Sequence, residues 1–347
     1  MIRKISLLFF SALLLTALHL EGAPVQLKCL TFNVWHGGRQ VSNGMEAIAD
    51  VIGEVKPDVV CFVETKYANW NSDLNKILKK KGLKYYHDEF TSIDVSFFSK
   101  YPIKSMSKIY TNKNSAIKCE IDVNGKSVVV VSMHLDWVGY ASNLPRGYNT
   151  GSKSYKGWKM IEDANGKPKP VTDIKTILAV NGESLREKQI EEVIKSVEGV
   201  HKPVILLGDF NEPSFFDWTE KTKNMFAHNG VVIEWPVTKI LHRYGFTDAY
   251  RTFYPDEVKN PGITWPSQCG KSKITTWAPK SDDRDRIDYI FYKGDGLKLK
   301  SVSIVGPKAS FAYKKLTKEK TENESFLAQD IPWPSDHKGL FAEFDLK

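Results

Sequence analysis

The sequence predicts a layered α/β protein built on mixed sheets. Three observations carry this reading. From Val25 onward, short β-branched runs alternate with amphipathic segments. A strand, crossover helix, strand unit near the start is followed by a strong hairpin signal at Asn124-Gly125. Neither a repeat nor a low-complexity linker divides the chain. Crossovers give parallel neighbours and hairpins antiparallel ones, so the two together favour sheets of both kinds.

Taken in order, residues 26–35 (QLKCLTFNVW) read as a strand, 45–56 (MEAIADVIGEVK) as an amphipathic helix, and 58–66 (DVVCFVETK) as a second strand that Pro57 helps to start. Residues 71–82 read as a helix closed by Gly82, which accepts a left-handed backbone. Strands follow at 94–100 and 103–110, and then a hairpin over 119–137 that turns at Asn124-Gly125. A polar insert over about 138–181, rich in Gly, Tyr, Lys and Asn, is too irregular to read as core. Residues 184–197 read as a helix with Ser184 as N-cap and Glu187 three residues on, the pattern of a capping box. Residues 203–211 (PVILLGDFN) read as a buried strand entering a polar turn, and later strands are expected at 285–293, 297–305 and 339–346.

Residues 1–23 combine a basic start (Arg3, Lys4), an apolar run from Ile5 to Leu20, and small residues Gly22 and Ala23. That is the pattern of a secretory signal peptide, so a secreted or periplasmic protein is expected, with 24–347 as a single domain. The apolar run is short of the ~20 residues a membrane span needs, and no stable membrane insertion is expected. The formal charge is +8, falling to about +7 once Arg3, Lys4 and Glu21 leave. A mildly basic surface suits an anionic partner, although scattered lysines also read as ordinary solvated surface. Four cysteines do not make a disulfide framework. Cys29, Cys61 and Cys119 lie in strand-like runs and read as buried thiols, with one disulfide left open. Nothing in the sequence points to a protein partner.

Polar side chains recur at the ends of the expected strands: Asn33, Glu64, His134, Asp209 with Asn211, Asp288, and Asp336 with His337. Any one of them alone reads as a turn or cap residue. Strand ends in α/β architectures converge on one crevice, however, so the set can meet there. TFNVW at 31–35, VETK at 63–66, SMHLD at 132–136, LGDFN at 207–211, GFTDAYRTFYP at 245–255, DRIDYIF at 285–291 and SDHKG at 335–339 resemble, in order, the motifs of the endonuclease/exonuclease/phosphatase superfamily.

The resemblance implies a four-layer α/β/β/α sandwich, two packed mixed sheets with outer helices, and one metal-dependent hydrolytic site at the sheet edge. It implies Glu64 as the principal ligand of Mg²⁺ or Mn²⁺, helped by Asn33 and Asp336. It further implies that Asp209 orients or deprotonates the attacking water and that Asn211 holds a phosphate oxygen. By the same resemblance His337, paired with Asp288, contacts the scissile phosphate, and His134 bonds the phosphate or assists the leaving oxygen. Oxygen ligands suit such hard cations, and an in-line displacement needs a cation and fixed donors around the phosphoryl group.

Trp35 stands where the apurinic-endonuclease branch has an acidic residue, which argues against a DNA-repair role. The insert places Tyr140, Arg146, Tyr148, Tyr155 and Trp158 close behind His134 in sequence. Such rings can stack on a base, a sugar or a lipid head group, or pack the loop on itself. Tyr140, Arg146 and Arg39 are the candidate substrate contacts, the arginines through their planar forks. Three readings stay open: a nuclease, a phosphoesterase of inositol phosphates or lipid head groups, and a non-catalytic binding module. Phosphodiester hydrolysis is slightly favoured.

Overall fold

Two-residue periodicity sorts the apolar side chains of this chain into three layers. The computed structural model describes residues 25–112, 114–270 and 275–347, and the leader expected over 1–23 lies outside them. The first strands are β1 (Val25–Asn33), β2 (Val59–Val63), β3 (Tyr86–His87), β4 (Val95–Ser99), β5 (Ile103–Tyr110), β6 (Ala116–Val123), β7 (Lys126–His134) and β8 (Val204–Asp209). After them come β9 (Thr247–Asp248), β10 (Asp288–Lys293), β11 (Leu297–Val305), β12 (Ala309–Ala312), β13 (Lys315–Lys318), β14 (Phe326–Leu327) and β15 (Gly339–Leu346). The helices are α1 (Gly44–Val55), α2 (Trp70–Lys80), α3 (Ile174–Asn181), α4 (Arg186–Val197), α5 (Pro236–Arg243) and α6 (Ala249–Phe253).

One sheet runs β14-β11-β15-β1-β2-β4-β3 and the other β5-β6-β7-β8-β10-β9, with β12 and β13 as a separate hairpin. Each large sheet is mixed. β1 and β2 pair in parallel across α1, as do β7 and β8 across the insert and α4, while β6 and β7 form the hairpin turned by Asn124 and Gly125. Both turn residues have positive φ, 52° and 88°, the backbone a tight right-twisting hairpin demands.

Alternation then places the layers. On β1, Leu27 and Cys29 face the space between the sheets, whereas Leu30 and Phe32 face α1 and α2. On β2, Val59, Cys61 and Val63 point inward and Val60 and Phe62 outward. On β8, Ile205 and Leu207 join the inter-sheet core, while Val204 and Leu206 meet Ile190, Val193, Ile194 and Val197 of α4 and Val237, Ile240 and Leu241 of α5. The result is the α/β/β/α sandwich, with strands buried on both faces reading as continuous apolar runs.

Two local expectations are corrected. Ser184 lies one residue before the cap position of α4, its Oγ 3.4 Å from Arg186 N. The cap position falls on Leu185, whose N–H is held by Asp136 Oδ2 at 3.0 Å, while Ser184 Oγ donates to Asn181 O at 2.8 Å. The insert is not excluded from the interior either. Ala141 and Leu144 pack with Ile177 and Val180 of α3 against Trp218, Val231, Ile233 and Trp235, closing a satellite core. All four cysteines are free and buried. Among the described residues no helix is long and apolar enough to cross a membrane.

Candidate active site

Backbone register gathers the polar strand ends before any side chain is placed. His134 lies opposite Asp209 across the parallel β7/β8 pair, and Asp209 lies opposite Asp288 across the antiparallel β8/β10 pair. On the facing sheet Asn33 lies opposite Val63, so Glu64 emerges beside it. Asp336 and His337 immediately precede β15, whose Leu340 pairs with Thr31. The backbone around this edge is strained. Trp35, His36, Glu64 and Asn211 all have φ between 43° and 65°, a region that side chains other than Gly adopt at a cost.

Asn33 ties the two sheets together. Its Nδ2 donates to Asp209 Oδ2 at 3.0 Å and to Glu64 Oε1 at 3.2 Å, and lies 3.4 Å from His337 Nε2. Its Oδ1 accepts from Trp35 N at 3.0 Å. Glu64 Oε2 accepts the His36 N–H at 2.8 Å, and His36, His134 and His337 overcome the burial penalty and hold this carboxyl below its ordinary range. Asp209 Oδ1 accepts from Asn211 N at 2.8 Å. Burial and the adjacent Asp288 push Asp209 up to about 6, with both histidines pulling the other way.

Each imidazole has its own carboxylate. His337 Nδ1 faces Asp288 Oδ2 at 3.0 Å, and His134 Nδ1 faces Asp94 Oδ2 at 2.6 Å. Burial alone lowers a histidine pKa, but Asp288 and Asp209 outweigh it at His337 and raise it to about 10. Asp94, Asp209 and Glu64 do the same at His134 and raise it to about 9. The two Nε2 atoms flank one oxygen, lying 3.7 Å (His134) and 3.8 Å (His337) from Asp209 Oδ2. Asn211 Nδ2 reaches His134 Nε2 at 2.8 Å and Leu135 O at 3.0 Å.

The donor set fits a hard divalent cation. Asp336 Oδ1 and Asp288 Oδ1 are buried without a hydrogen-bond partner. Burial and the negative charge of Glu64 raise Asp336 to about 7. A carboxyl whose ionisation is opposed by burial and a neighbouring carboxylate is relieved by a cation nearby, and oxygen ligands select one of the Mg²⁺ type. Asp209, Asp288 and His337 also bring ligand atoms within 4.8 Å of one another, a second grouping able to hold an ion.

All eight residues expected at the centre are therefore assembled, whereas two of the three expected substrate contacts, Tyr140 and Arg146, are buried against Asp285. Arg146 is a correction: its side chain is fully buried, with Nη1 and Nη2 on Asp285 at 2.6 and 3.0 Å, so no fork remains for a phosphate. Tyr140 is a second correction, being fully buried with its hydroxyl donating to Asp285 Oδ2 at 2.7 Å. Arg39 stays exposed, with its guanidinium 3.8 Å from the centre of the Tyr67 ring. Asp94 and Trp265 were not anticipated. Trp265 Nε1 points to Asp336 Oδ2 at 3.4 Å, and its ring lies 6.4 Å from His337. Asp94 sits at the start of a strand, where Asp ordinarily signals a turn, and only the fold brings it to His134.

Because the folded pKa of His134 lies above its unfolded value near 6.5, the Asp94 contact stabilises the fold fully below that pH and less as pH rises through about 9. Asp94→Asn should thus lower the His134 titration midpoint, read by histidine ring NMR. The stability gap to the wild type should be widest between about pH 4, below which carboxyls protonate, and about pH 6.5, and should narrow as pH rises toward about 9.

Two packed mixed sheets carrying a cluster of acids and two carboxylate-paired imidazoles at one edge define a metal-dependent hydrolase of phosphoric ester bonds. The chain belongs to the Endonuclease/Exonuclease/phosphatase family, whose model matches residues 30–337. It is 28% identical over 323 residues to the uncharacterized protein F14F9.5 of Caenorhabditis elegans, across 92% of this chain and 91% of that protein. Among solved structures it resembles D. rerio TDP2 complexed with single strand DNA product, with a TM-score of 0.51 at 14% identity over 92% of this chain and 99% of that one. It also resembles the endonuclease/exonuclease/phosphatase of Beutenbergia cavernae, with a TM-score of 0.51 at 15% identity over 92% and 72% respectively. At these identities the structural likeness speaks for the fold alone.

Proposed function

We propose that this chain is an exported phosphodiesterase dependent on Mg²⁺ or Mn²⁺, cleaving a P–O bond by in-line attack of water. The observation that carries the reading is the Asp209 carboxylate set between two imidazoles, each held by its own acid, beside the Glu64 and Asp336 oxygens. Glu64 and Asp336, with Asn33 alongside, are the groups that would hold the cation, which when bound supplies Lewis-acid polarisation of a phosphoryl oxygen.

The remaining work falls to the chain's own groups. Asp209, with one oxygen fixed by Asn211 N and the other by Asn33, orients the attacking water and accepts its proton. His337, charged because Asp288 supports its Nδ1–H, offers Nε2–H to the negative charge that grows on the phosphoryl oxygens. His134 serves the opposite side, where the departing oxygen needs a donor, and Asn211, whose Nδ2 lies on Leu135 O and against His134 Nε2, helps to place that ring. The diester is favoured over the monoester by charge. A dianionic monoester is usually gripped by an arginine fork, and Arg146, the buried candidate, is already committed to Asp285.

The test is a substrate panel with Mg²⁺, Mn²⁺ or a chelator: a bis-aryl phosphodiester, an aryl phosphomonoester, plasmid DNA, RNA, sphingomyelin and inositol phosphates. Turnover of diesters that chelation abolishes and the metal restores is expected. Turnover confined to the monoester, or unaffected by the chelator, would sink the proposal. Export is tested separately, by recovering the chain outside the cytoplasm only while residues 1–23 are present.

A further inference from the structure

A line of aromatic rings leaves the active site. The Trp265 ring lies 6.4 Å from His337 and 4.7 Å from Trp277, which lies 4.8 Å from Trp158. Trp158 in turn stacks with Trp137, with centroids 6.1 Å apart and planes 22° from parallel. The line begins buried, with Trp265 at 1% exposure, and ends in solvent, with Trp158 at 41% and Trp137 at 43%. Two neighbouring indoles left this open are a binding feature more readily than a folding one.

The chain holds the pair in place. Arg186 Nη1 donates to Asp136 O at 2.8 Å and Val138 O at 2.9 Å, fixing the backbone on both sides of Trp137 while its indole projects outward. Residue 151 must be small for Trp158 to sit where it does. A Cβ on Gly151 would lie 2.8 Å from Trp158 Nε1, and φ there is +65°. Lys153, Lys156 and Lys159 flank Trp158 in sequence, all exposed, and among the described residues none of their ammonium groups forms an ion pair, the nearby Glu183 carboxylate being taken by the backbone N–H groups of Lys153 and Ser154.

We infer that Trp137 and Trp158 form a stacking platform for an unpaired base of a single-stranded nucleic acid whose phosphate lies at His337. The inference rests on the phosphodiester reading above and names its substrate class. Indole faces stack on planar rings, and a base offers its face only when it is outside a duplex. The three lysines decide between ring-binding partners, because they attract a polyanionic strand and repel the quaternary ammonium of a choline head group, which aromatic rings also bind.

The test compares binding of a short labelled DNA strand with the same strand stripped of its bases, by fluorescence anisotropy on the full chain in chelator, so that no turnover intervenes. The wild type should prefer the base-bearing strand by about 5- to 100-fold, the effect of stacking one base. Trp137→Ala and Trp158→Ala should remove most of that preference, and Trp137→Phe should keep it. Lys159→Ala should weaken both strands alike and flatten the salt dependence. Equal wild-type affinity for the two strands, or a preference that survives both alanine variants, would overturn the inference. So would tryptophan-dependent binding to phosphatidylcholine vesicles tighter than to the strand. Diester turnover without a base preference would defeat this inference alone, whereas a base preference without turnover of any diester would defeat only the catalytic reading.

Discussion

Asp209→Asn is expected to lower phosphodiester turnover by about a thousandfold or more, the loss that follows when a positioned base is removed. The amide is nearly the same size as the carboxyl, so shape is kept while proton affinity is lost. One hydrogen bond turns unfavourable, because an amide nitrogen at the Oδ2 position would face the Asn33 Nδ2 donor, now 3.0 Å away. Relief of repulsion from Asp288 works the other way. The fold should therefore survive, and circular dichroism with thermal melting checks that the loss is chemical. His337→Ala should cost about a hundred- to a thousandfold, as for removal of one donor to developing negative charge. Full activity in both variants would remove the assignment of the centre.

The second large effect is on stability. Arg146 and Asp285 are a buried pair, and Asp285 also accepts from Tyr140 and Ser142. Removing the guanidinium strands a carboxylate away from water, so Arg146→Ala should destabilise the fold by about 3–5 kcal/mol, seen as a shifted urea midpoint. Were Arg146 a phosphate contact instead, stability would hold and the Michaelis constant would rise. The two outcomes separate cleanly in one variant.

Much of this was legible in the amino acids. Strands β1, β2, β7, β8, β10 and β15 announce themselves as apolar runs because both of their faces are covered. The catalytic groups are legible because they sit at the ends of those runs. What escaped was whatever depends on contacts distant in sequence. Tyr140 and Arg146 look like exposed loop residues until Asp285, about 140 positions later, comes to lie beneath them. Asp94 reads only as the first residue of the strand expected at 94–100 until the fold brings it to His134. Ser184 has the side chain of a helix cap and does approach the Arg186 N–H, but the Leu185 N–H is held by Asp136, 49 positions earlier in the chain.

Directly behind the reacting groups, Cys61 of one sheet meets Ser132 of the other, Sγ to Oγ at 2.7 Å, and also approaches Leu207 O at 3.4 Å. Ser132 and Leu207 lie two residues before His134 and Asp209, and Cys61 lies three before Glu64, so the spacing of the sheets here bears on the spacing of the groups beyond. A thicker residue at position 61 would act as a wedge, prising Asn33 and Glu64 away from Asp209 while leaving either half intact. Because position 61 is fully buried, such a wedge should also cost about 1–3 kcal/mol of stability, so turnover and melting should fall together.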